Sequence, residues 1–275
     1  MATASPSAEV GPLLREWRER RRLTQLELAL EAGISARHLS FVETGRSKPG
    51  RELLLRVLEQ LEVPLRERNR LLLAVGHAPA FPERPLQDPE LAPVRDALDQ
   101  ILTGHEPNPA IVVDRAWNLV AANSAVLAVT AGVEVDPALL EPPVNAVRVS
   151  LHPRGLAPLI VDLGSWRAFF LERLERQLST TGDPELAALI DEVAAYPAPV
   201  PERAGAADPA TGGILGPLRL RPAGGGELAF LGMFATFDTP FDVITSELAI
   251  ELLFPADPAT ARALEELARG SGGAA

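Results

Sequence analysis

Leu23-Thr-Gln-Leu-Glu-Leu-Ala-Leu-Glu-Ala-Gly-Ile-Ser-Ala-Arg-His-Leu-Ser-Phe-Val-Glu-Thr-Gly-Arg-Ser-Lys-Pro-Gly50 organises the N-terminal part of this chain. Thr24 with Glu27 three residues on is a capping box, so a helix starts at Gln25 and continues through Leu26, Leu28 and Ala29 to Ala32. Gly33 supplies the left-handed backbone of a tight turn. Ser35 caps the next helix, in which Leu39 and Val42 point inward at i and i+3. Small Ala29 lets two helices cross closely, and Ile34 plugs the space between them. That leaves Ala36, Arg37, Ser40 and Phe41 on an outer face shaped to enter a major groove.

Outward from this stretch, Leu13, Leu14 and Trp17 share a helical face in a basic segment holding Arg15, Arg18 and Arg20 to Arg22. Residues 1–10 are small and polar and read as a loose tail. Glu52 to Leu61 and Leu65 to Val75 supply two further helices. The motif resembles the XRE family of lambda-repressor-like DNA-binding domains over residues 11–76. The matching pieces are Thr24-Gln25, Leu28-Ala29, Ala32-Gly33-Ile34-Ser35, Leu39-Ser40, Glu43, Gly45-Arg46 and Pro49. The resemblance implies an all-α, five-helix domain. It implies that Gln25 bonds a DNA phosphate, that Arg37 and Phe41 face base edges, and that Arg46 and Lys48 meet phosphate. Ser35, Ala36, His38 and Ser40 complete the expected contact surface, His38 as a solvated or phosphate-facing group. It also pairs Arg18 with Glu43 in a partly buried salt bridge.

Charge supports this division. Residues 1–76 carry +3 and the remainder −14 within a net charge of −11, so only the head suits a polyanion. So small an excess predicts weak binding by a monomer, and hence a homodimer on two half-sites of double-stranded DNA, with a steep loss of affinity in salt. A length of 275 residues fits about two domains. Five prolines (Pro79, Pro82, Pro85, Pro89 and Pro93) mark residues 77–93 as a semi-rigid connector. The chain has no cysteine, no run of about 18 apolar residues and no apolar stretch before Arg15. A cytoplasmic, nucleoid-associated protein without disulfides or membrane contact is expected.

Residues 94–270 read as an α+β body. A short helix covers about Pro93 to Leu102, and Ala110 to Asn123 is a hairpin turning at Asp114–Arg115, with Asn123–Ser124 capping the next helix. Ser165 to Leu178 is an amphipathic helix with Trp166, Phe169, Phe170 and Leu174 on one side and Arg167, Arg173 and Arg176 elsewhere. Asp183–Pro184 opens another helix, to about Tyr196. The Pro/Ala/Gly-rich stretch 197–213 reads as a mobile loop. Strands follow at Leu215 to Leu220, Leu228 to Phe237 and Leu248 to Phe254, with a turn at Gly224–Gly226, and Ala259 to Arg269 is a terminal helix. A five-stranded sheet with helices on one side would leave a cavity that apolar side chains line.

From about Pro109 the body resembles the ligand-binding domain of MmyB-like transcription regulators, a PAS-like fold. The residues are Ile111-Val-Val-Asp114, Trp117-Asn118, Ala122-Asn123, Asn145-Ala-Val-Arg148, Leu151-His-Pro153, Trp166, Asp183-Pro-Glu-Leu186 and Gly216-Pro-Leu. The resemblance implies a pocket for a small hydrophobic, fatty-acid-like ligand and no other cofactor. Trp117, Trp166, Phe169, Phe170, Phe230, Met233 and Phe234 are candidate lining residues, or ordinary core. Arg148, with Asn145 nearby, is the candidate anchor for an anionic head group, or else a structural salt bridge. The alternative is a body that only dimerises or binds protein. His38, His77, His105 and His152 lack metal-ligand spacing, and no nucleophile elbow or phosphate loop occurs, so no enzyme or metal site is expected.

Overall fold

The computed structural model describes residues 6–197, 218–222, 225–238 and 240–271. Most of the stretch expected to be a mobile loop, and the Gly216-Pro pair, therefore lie outside the described residues. The chain divides into two units. The first holds residues up to Arg84 with Ser179–Gly182 and Pro240–Ser246; the second holds the rest.

The first unit is helical: α1 (Pro6–Arg20), α2 (Gln25–Glu31), α3 (Ala36–Glu43), α4 (Arg51–Gln60) and α5 (Leu65–Ala74). Thr24 caps α2 reciprocally, its hydroxyl accepting from Glu27 N at 3.2 Å while its own N–H donates to the Glu27 carboxylate at 2.7 Å. That backbone bond holds the Glu27 carboxyl below the usual range. Gly33 has φ +66°, and Ile34 N–H returns to Ala29 O at 2.8 Å, which closes the turn between α2 and α3. Leu14, Leu28, Leu39, Leu54, Leu58 and Leu72 are buried at the centre.

Two expectations change here. Residues 1–10 are not all tail: α1 begins at Pro6 and Val10 is buried. A Cβ at Gly11 would stand 2.4 Å from Glu43 O, so only glycine allows α1 this close to α3. Nor is the proline-rich segment all connector. The Asn69 side chain accepts from Ala80 N and Phe81 N and donates to Phe81 O, binding residues 80–81 to α5. Val243 N–H of the short helix α11 (Val243–Ser246) donates to Pro82 O, and Asp242 accepts from Arg84 N.

The second unit is built on a five-stranded sheet among the described residues, in the order β2-β1-β5-β4-β3 and antiparallel throughout. The strands are β1 (Ala110–Val113), β2 (Leu119–Ala122), β3 (Leu218–Leu220), β4 (Leu228–Thr236) and β5 (Ala249–Pro255). Asp114 makes the first turn by accepting from Ala116 N and Asn118 N, both at 2.8 Å. The helices are α6 (Ala92–Gly104), α7 (Ser124–Val129), α8 (Ala146–Leu151), α9 (Leu163–Thr181), α10 (Pro184–Ala194) and α12 (Pro258–Ser271).

Helices cover both faces of the sheet, not one. Ala110, Val112, Ile250 and Leu252 pack on Leu98 and Leu102 of α6. Their alternates Ile111, Val113, Phe234 and Ala249 pack on α8, α9 and α10 through Val147, Leu151, Phe170, Leu174, Leu186 and Leu189. Asn123 stands at the start of α7 but makes no side-chain cap. Instead it is buried, donates to Leu102 O and Asn108 O, and accepts from Ala110 N. A polar side chain enclosed by backbone is satisfied there rather than at the helix end.

Candidate nucleic-acid interface and ligand site

On the head, Arg18 and Glu43 set the pose of α3. The guanidinium donates from Nε to Glu43 Oε1 at 2.7 Å and from Nη2 to Oε2 at 3.0 Å, and Nη1 holds Leu23 O at 2.8 Å. Glu43 is all but sealed from solvent, with 1% of its side chain exposed. The bond to Glu43 raises the Arg18 pKa. Gln25 Nε2 also donates to Glu43 Oε2, at 2.8 Å, so one of its two amide N–H groups is already engaged.

Beyond this anchor, Arg37, His38, Arg46 and Lys48 are exposed, with Ser40 and Phe41 half-buried between them. Two guanidiniums lie over the Phe41 ring, Arg37 at 5.3 Å and Arg46 at 6.0 Å from its centroid. Arg46 N and Ser47 N both bond Phe41 O, which fixes the loop carrying Arg46 and Lys48 against the end of α3. Ser35 caps α3 by accepting from His38 N at 3.2 Å. Ala36 packs on the core beneath. The structure thus brings the basic and hydroxyl side chains of α3 and its following loop onto one surface. The Arg20–Arg22 cluster lies elsewhere: Arg20 pairs with Glu16, and Arg21 donates to Leu61 O and Glu62 O.

In the body, Trp117, Trp166 and Phe170 meet in one aromatic cluster. Trp117 stands edge-on to Phe170 at 5.4 Å and to Phe234 at 5.5 Å, and Trp166 lies 4.9 Å from Phe170. Trp117 Nε1 donates to Gln177 and Trp166 Nε1 to Ser150, so both indoles are oriented by hydrogen bonds. Phe230 belongs to a separate buried cluster with Leu218 and Leu264, while Phe169 and Met233 are exposed.

Asn145 and Arg148 are held by partners other than the rings. Asn145 caps α8, accepting from Arg148 N and donating to Ala116 O. Arg148 grips Glu192 with Nε and Nη2 at 2.8–2.9 Å and is 40% exposed. The same carboxylate accepts from the Tyr196 hydroxyl, and burial together with that bond pushes the phenol above its usual range. The cation expected to hold a head group already has its carboxylate, from α10.

Sequence reasoning placed Arg173 away from the aromatic side of its helix. The structure puts its guanidinium carbon 3.4 Å from the Phe234 centroid and 5.3 Å from that of Trp117. The spacing Trp166, Phe170, Arg173 is i, i+4, i+7, one helical stripe, and that signal was available. Glu251 was missed too. It is buried on β5, the one ionisable residue in Leu248-Ala-Ile-Glu-Leu-Leu-Phe254. Burial raises its carboxyl to about 7, with Arg173 pulling the other way.

Among the described residues no cluster of three metal-ligating side chains occurs, and no helix is long and apolar enough to cross a membrane.

Comparison with known proteins agrees with this division. Residues 14–68 match a helix-turn-helix family model, and residues 94–267 match the model of the MmyB-like transcription regulator ligand binding domain. An uncharacterized HTH-type transcriptional regulator, RghRB, of Bacillus subtilis (strain 168) is 39% identical over 74 residues. That alignment takes in 26% of this chain, and the chain spans about half (51%) of the length of this curated relative. A solved structure described as an RNA-binding light-oxygen-voltage receptor aligns over 99% of this chain and 65% of its own, at 12% identity. Its TM-score of 0.26 carries no weight for the fold. With a helix-turn-helix ahead of a ligand-binding domain that fills most of its length, the chain belongs to the MmyB-like family of DNA-binding transcription regulators.

Proposed function

We propose that this regulator binds operator DNA as a homodimer, one head on each half-site, and that a small hydrophobic, fatty-acid-like ligand in the body shifts the balance between DNA-competent and incompetent arrangements. The observation that carries the DNA part is the outer surface of α3 and its loop, where Arg37, Ser40, Phe41, Arg46 and Lys48 stand free of the core. Arg37 and Phe41 read base edges, while Gln25, His38, Arg46 and Lys48 meet phosphate. Two half-sites about one helical turn apart impose a strict spacing, so a modest change in the body is enough to alter affinity. The aromatic cluster of Trp117, Trp166, Phe170 and Phe234 supports an apolar ligand, since large rigid rings offer contact area at low entropic cost.

The test combines selection of double-stranded oligonucleotides from a random pool with mass spectrometry of an organic extract of the purified full chain. An enriched palindromic sequence and a co-purified acyl chain are expected. No enrichment at low salt overturns the DNA reading. An enriched operator with an empty extract, and no change in affinity when acyl ligands are added, leaves a body that serves only dimerisation.

A further inference from the structure

Strand β2 ends the sheet, with β1 as its strand neighbour on one side. Its outer side is closed at the start, where Leu119 N–H donates to Val144 O at 2.7 Å and Ala146 N–H to Trp117 O at 2.9 Å. Val113 pairs with Leu119 and Val112 with Ala121, so Val120 is an inserted residue, a bulge. Past the bulge, Asn123 N–H donates inward to Ala110 O at 3.0 Å. Alternate residues of an antiparallel strand direct their backbone groups to opposite sides, so Ala122 N–H and C=O face outward. Among the described residues no strand meets that side. Such an edge is a template for pairing with another chain.

The surface around it is apolar and without charge. Residues 116–133 are 18 consecutive positions with no Asp, Glu, Lys, Arg or His, in a body that carries −14. Charged groups that reach this run stop on either side of β2: Asp114 accepts from Asn118, and Glu106 from Ser124. Leu119 and Val120 are each 38% exposed. On α7, Ala125 and Val129 are buried, while Leu127 between them turns outward and is 74% exposed.

We propose that this edge is where two copies of the chain meet. Ala122 of each copy lies opposite Ala122 of the other on a two-fold axis, exchanging both N–H···O=C bonds as antiparallel strands do. The start of α7 in one copy then falls beside Val120 of the other, and Leu127 covers Leu119 and Val120 across the contact. Charge selects the occupant. Two bodies at −14 repel each other except where neither bears charge, and a basic partner finds no carboxylate along β2. A strand edge that is its own complement suits a second copy. The contact is smaller than a standard interface of about 1,600 Å², so the dimer is weak until an operator holds both heads. The proposal rests on the reading of the regulator as a homodimer and gives that homodimer a place.

The experiment is sedimentation equilibrium of the full chain without DNA, from micromolar to millimolar concentration, with a charge swap at the axis. The wild type should associate reversibly to a dimer. Ala122→Lys and Ala122→Glu should each raise the dissociation constant at least about tenfold, because like charges then stand opposite each other. An equimolar mixture of the two should return to wild-type association or tighter, with unchanged melting temperatures throughout. A wild type that stays monomeric ends the homodimer reading, and this inference with it. A wild-type dimer that both variants retain leaves the homodimer standing and overturns the β2 contact. Variants that separate but do not associate when mixed overturn it too. Should the charged variants not fold, single thiols in this cysteine-free chain decide. Paired strands set the two Ala122 Cα atoms about 5.5 Å apart, within disulfide range. Ala122→Cys should therefore oxidise to a linked dimer at least about tenfold faster than Met233→Cys, an exposed site on β4, since pairing raises the effective thiol concentration. Equal rates overturn the proposal.

Discussion

Replacing Arg18 by methionine tests whether the α1–α3 anchor is as dry as its geometry implies. The substitution keeps much of the aliphatic stem but removes both donors to Glu43 and the one to Leu23 O. Glu43 then retains only the Gln25 amide, with 1% of its side chain reaching solvent. Charge-assisted bonds are worth about 1.5–3 kcal/mol each, but they do not add when they share one carboxylate. Breaking a buried pair from one side costs about 3–5 kcal/mol, because the remaining charge stays desolvated. Against a domain stability of roughly 5–15 kcal/mol this is a large part of the whole. Native-state hydrogen exchange of the Leu39, Val42 and Glu43 amides in the full chain reads the loss locally. Protection should fall about 10²- to 10⁴-fold, at ~1.4 kcal/mol per decade. The double variant Arg18→Met, Glu43→Leu should recover most of it, since an apolar pair no longer carries a stranded charge. A loss below about tenfold in the single variant would refute the reasoning, as it would mean that water reaches Glu43.

Arg37→Ala should cost about 1–3 kcal/mol of discrimination at one base-pair position of each half-site, measured by competition with base-substituted operators; uniform weakening on every sequence would make Arg37 a phosphate contact. Thr24→Ala removes the hydroxyl of the capping box and should destabilise the head by about 1 kcal/mol in denaturant titration; no change would show that the Glu27 bond to Thr24 N carries the cap alone. Glu251 gives the body a signed pH response: between the ordinary glutamate value and about 7 the folded chain holds a proton that the unfolded chain has lost. Its contribution is therefore present at low pH and is lost as pH rises through 7, and Glu251→Gln should remove that part of the slope in melts followed from pH 5 to 8. An identical slope in the variant would place the proton elsewhere.

The head was legible because its determinants are local. Thr24 with Glu27, Gly33 and Ser35 each specify a helix end within four residues of chain, and all three act in the structure as their spacing implies. The Arg18–Glu43 pair, which spans 25 residues, was implied by the family resemblance and not by any local signal. What escaped was closeness between segments. Gly11 follows directly on the expected tail of residues 1–10 and carries no signal of its own, yet it is where the Glu43 carbonyl comes close to α1. Proline density argued for a semi-rigid connector, and it could not show that the Asn69 amide would bind the backbone of residues 80–81.

The body was misread where a polar residue was taken to mean solvent. β1 is a run of four apolar residues with no alternation, the mark of a strand buried on both faces, and that run contradicted a sheet with helices on one side. Arg173 was set apart from Trp166 and Phe170 by its charge, although its helical phase placed it among them. Arg148 drew attention as a cation in an acidic domain, but that same acidity makes a local carboxylate its commonest partner, and Glu192 supplies one. Arg173 instead lies over Phe234, with the buried Glu251 of β5 acting on it. Helical phase could place Arg173 among the rings, but the register that sets Phe234 opposite Glu251 is contained in no spacing along a single element. Composition thus locates the charges of a domain, while strand pairing tells which groups face one another across its sheet.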